Sequence, residues 1–250
     1  DFALYSTIDY ANKNGLPLII AGDLHDTKAN LRAECINAMI RTLKTATVPV
    51  YLIIGNHDLI NEKGREHALA FLEPYCHIID DNKFLPALNI HAIAYKSSNE
   101  EFVETVKQAS PLTTIICHQG LQGAFMGEYA QDRSSVPPSD LVNRYFISGH
   151  YHRHQVLKLE RGLFTYIGSP YTTSFSEHAD GQKGFLVLNR DGSYTRIPLY
   201  LRKHIIIDTN ANTIFNPTPA IHPHDRLWIK LRGSKSELSN IDKQKLGNIL

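Results

Sequence analysis

Apolar positions along the 250 residues follow two periods, and polar clusters interrupt them at recurring places. Residues 2–14 (FALYSTIDYANKN) space Phe2, Tyr5, Ile8 and Ala11 three apart and stop at Gly15, which predicts a helix with those residues inward. An apolar run at 16–23 (LPLIIAGD) predicts a buried strand that breaks at Gly22. Helical spacing returns over 30–44, with Leu31, Cys35, Ala38, Met39, Thr42 and Leu43 on one face and Asn30 as the N-cap. A second apolar run, 48–58 (VPVYLIIGNHD), again stops at a glycine. This strand–helix–strand order predicts an α/β chain with parallel strands and helices packed on them.

The pattern continues with a short helix near 67–74, strands at 76–79 and 88–95, a helix at 101–109 and a strand at 113–120. Residues 120–140 are a long, turn-rich connection whose composition suits a surface loop or a substrate contact equally. From residue 144 onward strands dominate, at 155–159, 163–170 and 184–199, the last folded as a hairpin around Arg190, Asp191, Gly192 and Ser193. Beyond Leu201, two strands (HIIIDT and RLWIKLRG) and an amphipathic helix over 236–250 read as the start of a second, small α+β unit. The expected organisation is therefore one domain over 1–200 and a partial domain over 201–250.

Composition is that of an ordinary globular protein, with 42% hydrophobic and 20% charged residues. No apolar run reaches the roughly 20 residues of a membrane helix, and no signal peptide opens the chain, so no membrane association is expected. Cys35, Cys76 and Cys117 are odd in number and far apart. That spacing argues against a disulfide framework or a cysteine zinc site and for a reducing, cytoplasmic compartment. Net charge is +1, but residues 201–250 carry eight Lys and Arg against four Asp and Glu, or +4, leaving −3 for residues 1–200. A basic segment of that kind suits either a phosphate backbone or a plain solvated surface.

The candidate chemistry lies where the strands end. Asp23, then Asn56, His57 and Asp58, then His118, each follow an apolar run, and GHYHRH at 149–154 adds His150 and His152. In a strand conformation His150 and His152 would point to one side and could clasp one metal or reach two. Gly22, Gly55, Gly120 and Gly149 flank these residues. Any one of the four motifs is weak; all four at strand ends together point to a metal site.

The order GD, GNHD, H, GHYH resembles the calcineurin-like metallophosphoesterases, and more narrowly the SbcD-type DNA repair and recombination nucleases with their phage relatives. GDLHDTK, GNHD, SGHYHR, YIGSPYTTSFSE and KGFLVLN carry this resemblance. Calcineurin-type protein phosphatases have GDxVDRG and GNHE, and this chain has neither. The resemblance implies a β-sandwich flanked by helices, a two-metal site, and a capping domain beginning near residue 201. It implies that Asp23 bridges the metals, that Asn56, His118 and His150 complete one site, and that His152 serves the other. His57 would be the general acid, with Asp58 holding its imidazole. It further implies 3′-to-5′ exonuclease and single-strand endonuclease activity on DNA, an SbcC-type ATPase partner and a homodimer within that complex. Mixed Asp, Asn and His ligation suits Mn²⁺, Fe or Zn²⁺ better than Mg²⁺ or Ca²⁺, with Mn²⁺ the expected ion.

The family also has an Asp-x-His motif some way before the GD motif. Only 22 residues precede Asp23 and none is His, so that motif is expected upstream of Asp1. Asp23 with His25 is not that motif, because residues 26–54 hold no second GD. His25 is expected to pack beside the site. Two alternatives stay open: a small-molecule or cyclic-nucleotide phosphodiesterase on the same core, and a non-catalytic DNA-binding subunit.

Overall fold

The parallel pattern expected from the strand–helix–strand order occurs in two separate sheets. The computed structural model describes residues 2–26, 31–61, 66–141, 144–189, 191–211 and 221–241. β1 (Leu18–Ala21), β2 (Val50–Ile53) and β3 (His77–Ile79) form a parallel sheet in that order. A six-stranded sheet contains β4 (Asn82–Leu85), β5 (Ile90–Ile93), β6 (Thr114–Cys117), β7 (Tyr145–Ser148), β8 (Gln155–Leu159) and β9 (Gly162–Tyr166). Its order is β4-β5-β6-β7-β9-β8, parallel from β5 to β9 and antiparallel at both edges.

Period two decides how the layers meet. Ile90, Ala92, Ile116 and Ile147 share a buried cluster with Leu52 and Ile53 of the smaller sheet. Ile8 of α1 (Phe2–Asn14) and Met39 and Leu43 of α2 (Ala33–Leu43) join the same cluster. The intervening Ile93, Ile115, Cys117 and Phe146 face a second cluster, closed by Phe102 and Val106 of α3 (Asn99–Gln108). β5, β6 and β7 are thus buried on both faces, which is why each carries apolar residues at consecutive positions. Two sheets over one core, with helices outside, make a sandwich.

Several local expectations are corrected. In α1, Phe2 and Tyr5 are exposed, and Ala3, Ile8 and Ala11 are buried. Strict three-residue spacing drifts by about 60° per step on a 3.6-residue helix, so Phe2 and Ala11 lie on opposite sides. α2 begins after Arg32, which makes no side-chain cap; Asn30 lies outside the described residues. The helix expected near 67–74 is a single 3₁₀ turn, Ala70–Leu72. β4 was not expected, and α3 starts at a Ser98 cap whose side chain accepts from Glu101 N.

β10 (Gly184–Leu188) and β11 (Tyr194–Pro198) form the expected antiparallel hairpin. β12 (His204–Asn210) and β13 (Arg226–Arg232) pair in parallel, followed by α4 (Lys235–Ser239). The remainder of the helix expected over 236–250 falls largely on residues 242–250, outside the described ones. Among the described residues no helix is long and apolar enough to cross a membrane. Cys76 and Cys117 are buried thiols and Cys35 is exposed.

The 120–140 connection is anchored rather than loose. Leu121, Ala124 and Val136 are fully buried under the second cluster. Asp132, also buried, accepts from Ser134 N at 2.8 Å, Ser135 N at 3.0 Å and the Tyr151 hydroxyl at 2.6 Å. Burial alone would raise this carboxyl; the hydrogen bonds from Ser135, Tyr151 and the backbone outweigh it and hold it below the ordinary carboxylate value. Asp132→Ala is expected to cost about 3 kcal/mol in urea unfolding near neutral pH. Because the folded value lies below the unfolded one, this stabilisation is complete above the ordinary carboxylate range. It disappears as pH falls through the folded value, so wild type and variant converge in acid.

Candidate metal centre

β1, β2, β6 and β7 end side by side, and each delivers one motif to the same edge of the sandwich. The chain leaves β1 through Gly22 and Asp23, both at positive φ (84° and 51°), and leaves β7 through His150 at φ 70°. Left-handed backbone at a non-glycine residue is uncommon and costs energy, and it concentrates at functional sites. Glycine permits the close approach at two neighbouring points. A Cβ on Gly55 would strike Asp23 Oδ1, and one on Gly149 would strike Ala21 O.

Four of the expected residues converge. His118 Nε2 lies 3.0 Å from Asp23 Oδ2 and 3.1 Å from Asn56 Oδ1. His150 Nδ1 lies 3.0 Å from Asn56 Oδ1 and 3.3 Å from His118 Nε2. Ligand atoms of Asp23, His118 and His150 all fall within 4.8 Å of one another. His118 is 1% exposed, and its Nδ1 donates to Ala21 O at 2.7 Å, which leaves the Nε2 lone pair aimed at the cluster. A carboxylate oxygen, an amide oxygen and two imidazole nitrogens therefore face one point. Such a set of acceptors is held together by a cation, and its mixed oxygen and nitrogen character fits a first-row divalent ion.

Without a cation, Asp23 and His118 favour a shared proton on Nε2, which an ion at this point would displace. Burial would raise Asp23, but His118 beside it keeps its carboxyl below the ordinary value. His118 is pulled down by burial and more than restored by Asp23. Burial and the neighbouring His118 push His150 down to about 4, so it is neutral and able to ligate at pH 7.

Two expectations need correcting here. Asp58 does not hold the His57 imidazole. It is fully buried and accepts from Gly55 N at 2.8 Å, Asp23 N at 2.9 Å and Leu24 N at 3.1 Å, tying the GD turn to the GNHD turn. Burial raises its carboxyl to about 6. His57 Nδ1 instead donates to Asp26 O at 2.9 Å, leaving Nε2 as the outward nitrogen, and its backbone N–H donates to Asp23 Oδ1 at 2.9 Å. The second correction concerns GHYH: residues 149–154 are not a strand, and His150 and His152 do not share one side. His150 turns to Asn56 and His118, whereas His152 Nδ1 donates to Glu177 Oε1 at 2.8 Å.

His25 packs beside the site as expected, its Nε2 3.9 Å from Asp58 Oδ1. Residues that sequence reasoning missed are Tyr95, whose ring stacks on His150 at 6.2 Å, and Glu177 with Lys183 behind His152. The signal for the last two was present in SFSE and KGF, which had no assigned role. A cavity of about 240 Å³ opens beside His152, bounded by Met126, Gly127, Arg153 and Ser174. The Arg153 guanidinium sits over the Phe125 ring, 5.1 Å from its centroid.

Comparison with known proteins places this geometry. Residues 2–161 match the calcineurin-like phosphoesterase family. The DNA double-strand break repair protein Mre11 of Methanocaldococcus jannaschii is 23% identical over 200 residues, covering 70% of this chain and 53% of that protein. The chain thus spans about half the length of that relative. A solved archaeal phosphodiesterase superposes with TM-score 0.42 at 13% identity, over 79% of this chain and 92% of that one. With its match over residues 2–161, well beyond half its length, the chain belongs to the calcineurin-like phosphoesterase family of metal-dependent hydrolases.

Proposed function

We propose that the chain is a metal-dependent DNA nuclease, the hydrolytic part of an SbcCD-like repair or recombination complex. The observation that carries the reading is the convergence of Asp23, Asn56, His118 and His150 on one point, with His57 held beside it. Two divalent ions, Mn²⁺ first among candidates, would belong to this site: Asp23, Asn56, His118 and His150 would hold one, and Asp23 with His152 would serve the other. Bound there, such ions neutralise the phosphodiester and lower the pKa of the attacking water. The protein supplies the rest. His57, oriented by Asp26 O and by its own backbone bond to Asp23, protonates the departing sugar oxygen through Nε2. Asp58 keeps the two ligand turns in register.

DNA as substrate is supported by the likeness to Mre11 and by the basic balance of residues 201–250, which we assign to a partial capping domain. A 3′-to-5′ exonuclease and single-strand endonuclease, working as a homodimer with an SbcC-type ATPase in a reducing cytoplasmic compartment, completes the proposal. Degradation of labelled single- and double-stranded oligonucleotides with Mn²⁺, and none after EDTA, is the expected result. Hydrolysis of bis-p-nitrophenyl phosphate with DNA left intact would favour a small-molecule phosphodiesterase, and no hydrolysis of either a binding subunit.

Arg153 lies in the wall of the cavity beside His152 and suits a backbone phosphate. Arg153→Ala is expected to weaken oligonucleotide binding about tenfold and to lower the salt slope by about one. Hydrolysis of the small diester should not change. Binding measured between low and moderate salt checks both.

A further inference from the structure

Two stretches singled out in the sequence, GSPYTTSFSE and KGF, reach the site behind His152 with no role assigned so far. In the structure they converge on a single carboxylate. Glu177 is buried; its Oε1 accepts from His152 Nδ1 at 2.8 Å and from the Thr173 hydroxyl. Its Oε2 forms an ion pair with Lys183 Nζ at 3.0 Å and accepts from Thr173 N at 3.2 Å. Lys183, 5% exposed, donates its three hydrogens to His152 O at 2.8 Å, Ser169 Oγ at 2.9 Å and Asp180 Oδ2 at 2.9 Å.

One buried ion pair therefore grips both the imidazole and the main chain of residue 152. His152 itself keeps half of its side chain exposed, in the wall of the cavity. With Nδ1–H committed to Glu177, the ring presents Nε2 with its lone pair. An imidazole hydrogen-bonded in this way to a carboxylate is fixed in tautomer and orientation and is a more basic ligand.

We propose that Glu177, backed by Lys183, Thr173 and Ser169, is a positioning residue that holds His152 in its metal-ligating form. This rests on the assignment of His152 to a metal under the proposed function. It gives the GSP-to-KGF stretch a physical role: Ser169, Thr173, Glu177 and Lys183 build the support for one ligand.

The test is Mn²⁺ binding to the EDTA-stripped full chain, by calorimetry, for wild type, Glu177→Gln, His152→Ala and the double variant, with melting temperatures of the metal-free proteins. Glu177→Gln is expected to weaken the His152-dependent binding about 10–100-fold. The double variant should bind no worse than His152→Ala alone, because Glu177 acts only through His152. Unchanged affinity in Glu177→Gln, or a loss that adds in full to that of His152→Ala, overturns the inference and leaves the proposed function standing. Absence of Mn²⁺ binding by wild type overturns both. Should Glu177→Gln fail to fold, Thr173→Val, at an exposed position, reads the same support. A loss of about threefold is expected there, and no loss overturns the inference.

Discussion

Asp23→Asn lowers Mn²⁺-dependent phosphodiester hydrolysis by about a thousandfold or more, on oligonucleotides and on bis-p-nitrophenyl phosphate alike. The substitution keeps the shape and one acceptor oxygen, so His57 N can still donate to Oδ1, and Asp58 still receives the backbone N–H of residue 23. What is lost is the charge. Asp23 is the one carboxylate among the four converging acceptors, and its Oδ2 stands 3.0 Å from His118 Nε2. Without it, the cation and the charge developing on the phosphoryl group lose stabilisation of about 4 kcal/mol, which is about 10³ in rate. Because Asp23 precedes any leaving-group step, the loss should be the same for both substrates. Single-turnover rates, with circular dichroism to confirm the fold, check it.

His57→Ala has a different signature. It is expected to slow DNA cleavage by about 10²–10⁴-fold, the usual contribution of a positioned general acid. It should slow bis-p-nitrophenyl phosphate far less, since nitrophenolate departs without a proton. Metal affinity should hardly change, because the contact from residue 57 to Asp23 comes from its backbone N–H, which alanine retains. Equal losses on the two substrates would instead make His57 a structural or metal-holding residue. The outward Nε2, set by the Nδ1 bond to Asp26 O, is the geometric basis for this expectation.

These two residues show why much of the site was legible in the chain and some of it was not. Asp23, Asn56 and His150 follow apolar runs that stop at glycines, His118 directly follows another apolar run, and such runs become parallel strands whose carboxyl ends lie together. The doubly buried β5, β6 and β7 were legible from their consecutive apolar residues. β4 was not: three residues of NKFL are exposed, so it carries no period. Partners set by tertiary approach were equally hidden. Asp58 adjoins His57 in sequence, yet the tight Gly55 turn directs it into the backbone of the GD loop. The positive φ of His150 undoes the alternation that spacing alone would assign to GHYH. Glu177 lies 25 residues beyond His152, and no local rule connects them.

The most direct test of the central claim is the number and affinity of Mn²⁺ ions bound by EDTA-stripped protein, measured by electron paramagnetic resonance for wild type beside Asp23→Asn. The account predicts stoichiometric binding by wild type, falling about 100-fold or more in affinity in the variant, because Asp23 is the one carboxylate among the four converging residues. Binding that is absent in wild type, or the same in both proteins, would contradict it.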